Sequence, residues 1–211
     1  MIKDSTSFLA MVIREQDDGT FTRNIESKQI HDLPDGEVLV EVGYSSLNYK
    51  DALSASGNRG VTKKYPHTPG IDAAGTVIKS SVEKFSAGDN VIVSGYDFGM
   101  NTAGGFAQYI RVPSDWVMYK PESLSAKTCM QIGTAGFTAA QSVLTMQEMG
   151  VLPSHGPVLV TGATGGVGSI AVALLKGSGY TVVAATGKKE EHPWLRELGA
   201  DDFLSRKQAA I

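Results

Sequence analysis

A chain of 211 residues, 42% hydrophobic and 19% charged, is long enough to bury a sizeable core and fits one large or two small domains. A net charge of −3 with scattered lysines and arginines excludes a basic nucleic-acid-binding stripe, and no apolar run is long enough to cross a bilayer. A lone cysteine, Cys129, excludes an internal disulfide and a cysteine-rich zinc site, so its thiol is expected to act as a small apolar group in a helix. Residues 1–5 lack the charged and apolar pattern of a signal peptide, which makes the cytoplasm the expected compartment.

Up to about Trp116 the sequence consists of short β-like runs separated by turns, at residues 37–42, 75–78, 90–94 and 106–112. Ala87-Gly88-Asp89 and Pro34-Asp35-Gly36 are turns that deliver the chain into apolar strands. The pattern predicts a compact, mainly β unit, either barrel or sandwich.

After Pro121 the periodicity changes. Cys129, Ile132, Phe137, Ala140, Val143, Leu144 and Met149 recur at helical spacing with glycine interruptions at Gly133 and Gly136, which fits two helices or one broken helix. Residues 157–161 form a buried-strand run, and Val167, Ile170, Ala171, Leu174 and Leu175 mark a helical stripe. Residues 181–185 predict another buried strand, 190–198 a helix ending at Gly199, and 202–204 a third strand. The fold class is therefore α/β, with strand, helix, strand, helix and strand making the first half of a Rossmann-type doubly wound parallel sheet. The division falls between residues 1–124 and 125–211, and the second part is expected to be C-terminally incomplete because the chain stops at Ile211, just past the third strand.

Thr161-Gly162-Ala163-Thr164-Gly165-Gly166-Val167-Gly168 joins a predicted strand to a predicted helix, the context in which a glycine motif points to a dinucleotide. Gly165 would let backbone approach a pyrophosphate, Gly168 would let the helix pack on the strand, and the helix N-terminus would offer N–H groups to phosphate. Ala163 stands where the usual fingerprint has its first glycine. At the end of the second strand no acidic residue is present to hold a ribose diol. Thr186-Gly187-Lys188-Lys189 supplies a hydroxyl and two cations instead, which favours NADP(H); the other reading of the lysines is a solvated helix start.

Ser46-Leu47-Asn48-Tyr49-Lys50-Asp51, Pro69-Gly70-Ile71-Asp72-Ala73-Ala74-Gly75, Gly133-Thr134-Ala135-Gly136-Phe137-Thr138-Ala139 and the glycine turn resemble, in order and spacing, the zinc-free quinone-oxidoreductase branch of the medium-chain dehydrogenase/reductase superfamily. The nearest resemblance is to its YhdH/YhfP, or acrylyl-CoA reductase, group, and it extends over nearly the whole chain. It implies a GroES-like catalytic-type β domain followed by an NAD(P)-binding Rossmann domain. It also implies NADPH-dependent reduction of an activated carbon–carbon double bond, in acrylyl-CoA or a related enoyl thioester or enone, or of a quinone.

Carried over by position, the cofactor contacts are Tyr49, Thr164, Gly165, Gly166, Val167, Thr186, Gly187, Lys188 and Arg206, with Lys188 where arginine is more frequent in the family. Asn48 would donate a hydrogen bond to a developing oxyanion, and Asp51 would hold that loop or take part in protonation; otherwise the two simply secure a helix start. Asn48 and Ile71 occupy the positions of zinc ligands in metal-dependent relatives, and His31, His67, His155 and His192 lack ligand spacing and are expected at the surface or in loops, so no metal is expected. Arg59, Lys63 and Lys64 would meet the phosphates of a CoA substrate or form a solvated basic loop. Family homodimers use later Rossmann strands, which leaves dimerisation of this chain without its usual elements. Two readings stand: a reductase or part of one, and a truncated, non-catalytic nucleotide-binding or structural remnant.

Overall fold

The computed structural model describes residues 2–205 and 207–209. The chain divides into two compact units, Met1–Thr134 and Ala135–Ile211. The sequence places the division at residue 124, ten residues before this one. Cys129 and Met130, on the first turns of the long helix, pack with Ala74 and Ile92 of the β unit, and the Thr134 N–H donates to Asp72, which keeps this stretch with the first unit.

In the first unit, β1 (Ser7–Glu15) and β2 (Phe21–Gln29) form an antiparallel hairpin in continuous register. The sequence runs miss both strands: β2 is nowhere fully buried and shows no clean apolar alternation, whereas β1 does bury Phe8, Ala10 and Val12 in alternation. The remaining strands are β3 (Val38–Ser45), β4 (Asp72–Ser80), β5 (Asn90–Ser94), β6 (Tyr109–Val112) and β7 (Val117–Tyr119). They form one antiparallel sheet in the order β6-β3-β4-β5-β7. The run predicted from residue 106 enters the sheet only at Tyr109, because its first residues bond elsewhere: the Phe106 carbonyl accepts from the Met11 N–H, and Ala107 bridges Ala10.

The first residues of strand β3, at 38–40, are buried on both faces. Val38 and Val40 join the core with Val77, Val91, Val93, Phe98 and Ile110, whereas Leu39, on the opposite face, packs with Phe8, Val12, Ile30 and Leu33. Between β3 and β4 lies α1 (Tyr49–Ala55). The long helix α2 (Ala126–Glu148) breaks at Gly133, whose φ of +47° and ψ of −157° are non-helical.

In the second unit, β8 (Val158–Thr161), β9 (Val182–Ala185) and β10 (Asp202–Leu204) form a parallel sheet ordered β10-β9-β8, with α3 (Gly166–Gly177) and α4 (His192–Leu198) as connections. Its core joins Val160, Ala163, Val172, Leu175, Val182, Ala184 and Leu195. The predicted helix at 190–198 opens as a 3-10 turn, Lys189–Glu191, and becomes α-helical at His192. Pro193 suits this position because the first helical turn needs no N–H from it. Among the described residues no helix is long and apolar enough to cross a membrane.

Candidate functional site

The first group of predicted site residues lies at the start of α1. Asn48 is its N-cap and forms a capping box with Asp51. The Asn48 backbone N–H donates to Asp51 Oδ2 at 2.8 Å, and Asp51 Oδ1 accepts from the backbone N–H groups of Gly70 and Ile71 at 3.1 and 3.0 Å. Asp51, only 3% exposed, thus ties the helix start to the Pro69-Gly70-Ile71 turn. Burial pushes its carboxyl above the ordinary aspartate range, against the lowering effect of these bonds. Of the two roles expected for Asp51, this geometry serves the loop-holding one. Tyr49, by contrast, is 80% exposed at the first helical position.

The Asn48 side chain leads to a network that the sequence reading did not single out. Its amide nitrogen donates to Ser46 Oγ at 2.8 Å and to Asp72 Oδ2 at 3.0 Å. Asp72 is 0% exposed and also accepts from the hydroxyl of Ser46, the hydroxyl of Ser94 at 2.5 Å, and the backbone N–H and hydroxyl of Thr134 at 3.0 and 2.7 Å. Burial alone would raise this carboxyl, but the bonds from Ser46, Ser94 and Thr134 outweigh it and hold Asp72 below its ordinary range. The available signal was a lone charge at the start of the apolar run Asp72-Ala73-Ala74.

These opposite shifts have opposite linkage. With its carboxyl lowered in the fold, Asp72 contributes stability that is complete above the ordinary aspartate range and is lost as the pH falls through the lowered one. Asp51, raised, makes the fold less stable as the pH rises through its own window. Urea midpoints measured down an acid series should therefore fall less steeply for Asp72→Asn than for the parent chain. An equal slope would show that Asp72 does not control the acid limb.

The second group lies in the Ala135–Ile211 unit. A cleft of about 610 Å³ is lined by Thr161, Gly162, Thr164, Ala185, Thr186, Gly187 and Lys188, so the structure brings together four of the expected cofactor residues. Thr186 is buried, and its hydroxyl oxygen accepts from the Lys188 N–H at 3.0 Å, so it shapes the turn that presents the exposed Lys188. Gly165 is the N-cap of α3, and Gly166 and Val167 are its first residues, whose N–H groups have no acceptor within the helix. These three line an adjacent cleft with Ala139, Val143 and Met146. Arg206 lies outside the described residues.

Other expectations change. Arg59 is committed within its own unit: it meets both carboxylate oxygens of Glu15 at 2.5 and 2.6 Å, donates to the Lys63 carbonyl, and lies over the Tyr65 ring, leaving Lys63 and Lys64 as the exposed cations there. His67 lies in the connection between α1 and β4 but is buried there, its Nε2 is 3.0 Å from the Gly99 carbonyl, and burial holds its pKa down. Among the described residues no three His, Cys, Asp or Glu side chains converge as a metal site.

An antiparallel β unit joined to a strand, glycine turn, helix and strand defines a chain of the medium-chain dehydrogenase/reductase class. Residues 34–122 match the family model of the alcohol dehydrogenase GroES-like domain. The acrylyl-CoA reductase AcuI of Ruegeria pomeroyi is 44% identical over 202 residues, 95% of this chain and 61% of that protein. YhdH of Escherichia coli, crystallised with NADPH, superposes with a TM-score of 0.92 at 44% identity over 96% of this chain and 62% of its own. Bacillus subtilis yhfP, crystallised with NAD, gives 0.92 and 44% over 96% and 61%. The chain belongs to the YhdH/YhfP, or acrylyl-CoA reductase, group of the medium-chain dehydrogenase/reductase superfamily. It spans about 61% of the length of these relatives.

Proposed function

We propose that the chain serves an NADPH-dependent reductase of activated carbon–carbon double bonds, in acrylyl-CoA or a related enoyl thioester or enone, or of a quinone. The observation that carries the reading is the cleft at the ends of β8 and β9, where the glycine turn faces Thr186, Gly187 and Lys188 and no carboxylate is among the lining residues. A ribose diol calls for a carboxylate at this place, whereas a 2′-phosphate calls for a cation. The names of the relatives, acrylyl-CoA reductase and quinone oxidoreductase, supply the substrate classes.

Bound there, the dinucleotide supplies a hydride. The first N–H groups of α3, at Gly166 and Val167, would hold the pyrophosphate, with Thr164 beside them on the turn. Lys188, exposed at the cleft edge, would hold the 2′-phosphate. On the substrate side, Asn48 would donate to the oxyanion formed when the double bond accepts hydride, Asp51 holds the Asn48 loop against the Gly70 turn, and Tyr49 would contribute to cofactor binding.

Titration calorimetry with 2′-phospho-AMP and AMP tests the adenosine side without a complete nicotinamide pocket. A charge-assisted hydrogen bond contributes about 1.5–3 kcal/mol, so 2′-phospho-AMP should bind at least about tenfold more tightly. Lys188→Ala should remove most of that difference and leave AMP unchanged. Equal affinities in the parent chain would overturn the NADPH preference in favour of NADH, the choice consistent with the NAD found on yhfP. Binding of neither nucleotide by folded protein would overturn the dinucleotide reading altogether.

A further inference from the structure

Asp72 carries a charge where the surrounding packing is apolar, yet no open position remains on it. Its Oδ2 accepts from Ser46, Asn48 and Thr134 N–H, and its Oδ1 from Ser94 and the Thr134 hydroxyl. A carboxylate has about four lone-pair sites, so five donors saturate it. It therefore has no site for a substrate or a travelling proton. What the charge does is select orientations: an oxygen that only accepts turns every neighbouring group that can donate towards itself.

Two neighbours are affected in particular. The Asn48 amide can present either its oxygen or its nitrogen at similar steric cost, and only the nitrogen can face Asp72. Because Ser46 Oγ and Asp72 Oδ2 are bonded to each other, they lie on one side of the amide nitrogen and take the same N–H, which directs the other N–H elsewhere. The second neighbour is the α2 break: Thr134 is held through both its N–H and its hydroxyl, directly after Gly133, whose missing Cβ would stand 2.8 Å from Asp72 Oδ2.

We propose that Asp72 is the positioning residue of the candidate reductase site, with one buried carboxylate fixing both the rotation of the Asn48 amide and the course of the chain through the Gly133 break. The assignment rests on the functional reading above for its catalytic meaning, and on geometry alone for the positioning itself.

The test uses the whole 211-residue chain, labelled with nitrogen-15, and follows the Asn48 side-chain amide, assigned by its disappearance in Asn48→Ala. In the parent chain, one of the two amide protons should be shifted downfield and exchange slowly while the other does not. A symmetric, fast-exchanging pair would overturn the proposal without any variant. Asp72→Asn keeps the shape but can accept or donate, so the shifted proton should move towards the ordinary amide position and exchange about tenfold faster or more, as expected for the loss of a charge-assisted bond. Ser94→Ala removes a donor from the other oxygen and should leave the Asn48 pair in place. A folded Asp72→Asn chain with an unchanged Asn48 pair would overturn the proposal.

NADPH oxidation with acrylyl-CoA forms a separate arm. If the parent turns over, Asp72→Asn should lower kcat about tenfold or more with little change in KM for NADPH, because the cofactor cleft belongs to the other unit. An unchanged kcat would overturn the positioning role in catalysis. An inactive parent chain would overturn the reductase reading alone, and the amide measurement would still decide the positioning.

Discussion

Gly168→Ala is expected to weaken NADPH and NADH alike by about a hundredfold or more, the loss of roughly two bonds to charged groups at about 1.5 kcal/mol or more each. Helix propensity alone predicts the opposite sign for stability, since alanine in a helix is favoured over glycine by about 1 kcal/mol. The tertiary contact outweighs it. A Cβ at this position would lie 2.3 Å from the Gly162 carbonyl oxygen and 2.8 Å from the Ala163 Cα, and both are backbone atoms of the turn. Relief requires α3 to withdraw from the turn, at a cost of about 1–3 kcal/mol for overpacking, and withdrawal moves its first N–H groups away from the pyrophosphate. Calorimetry with both dinucleotides, together with urea unfolding followed by Trp194 fluorescence in a Trp116→Phe background, checks the affinity and the stability of this unit separately. Retained affinity would mean that the helix start does not hold the phosphates. Loss confined to NADPH is expected of Lys188→Ala, not of this change.

Gly133→Ala is expected to destabilise the first unit by roughly 2–6 kcal/mol, a large part of the stability of an ordinary domain. Two costs of about 1–3 kcal/mol each combine. The first is backbone strain, because φ of +47° with ψ of −157° suits only glycine. The second is overpacking: the new Cβ would stand 2.8 Å from Asp72 Oδ2 and 3.3 Å from Ser46, and the bonds that converge on Asp72 leave it no freedom to retreat. Urea unfolding followed by Trp116 fluorescence in a Trp194→Phe background reads this unit alone. A loss below about 1 kcal/mol would show that the chain reroutes through the break at little cost, so that glycine is not required there.

Local chemistry explains why the second unit was legible in the sequence. Strands β8 and β9 are continuous apolar runs, the stripe from Val167 to Leu175 has helical period, and Gly199 ends α4 in the left-handed conformation with φ of +116°. Each signal lies within one segment, so periodicity and turn chemistry suffice. Strand β5 was legible for the same reason: residues 90–94 form an apolar run delivered by a glycine turn. In the first unit such signals fade where burial is partial, and β2 left no pattern at all.

By itself, then, the sequence determined the α/β class, the strand, glycine turn and helix of the proposed phosphate site, and the absence of a carboxylate at the end of β9, and it offered Asn48 and Asp51 at a helix start as one of two readings. These are matters of residue type at short separation. Tertiary structure alone decided that Asp72 gathers Ser46, Asn48, Ser94 and Thr134, that Arg59 is spent on Glu15, and that His67 is buried against Gly99. The partners in these contacts are 22 to 62 residues apart, and hydrogen-bonding capacity read from a sequence shows what a side chain can donate or accept, not which distant group the fold brings to it.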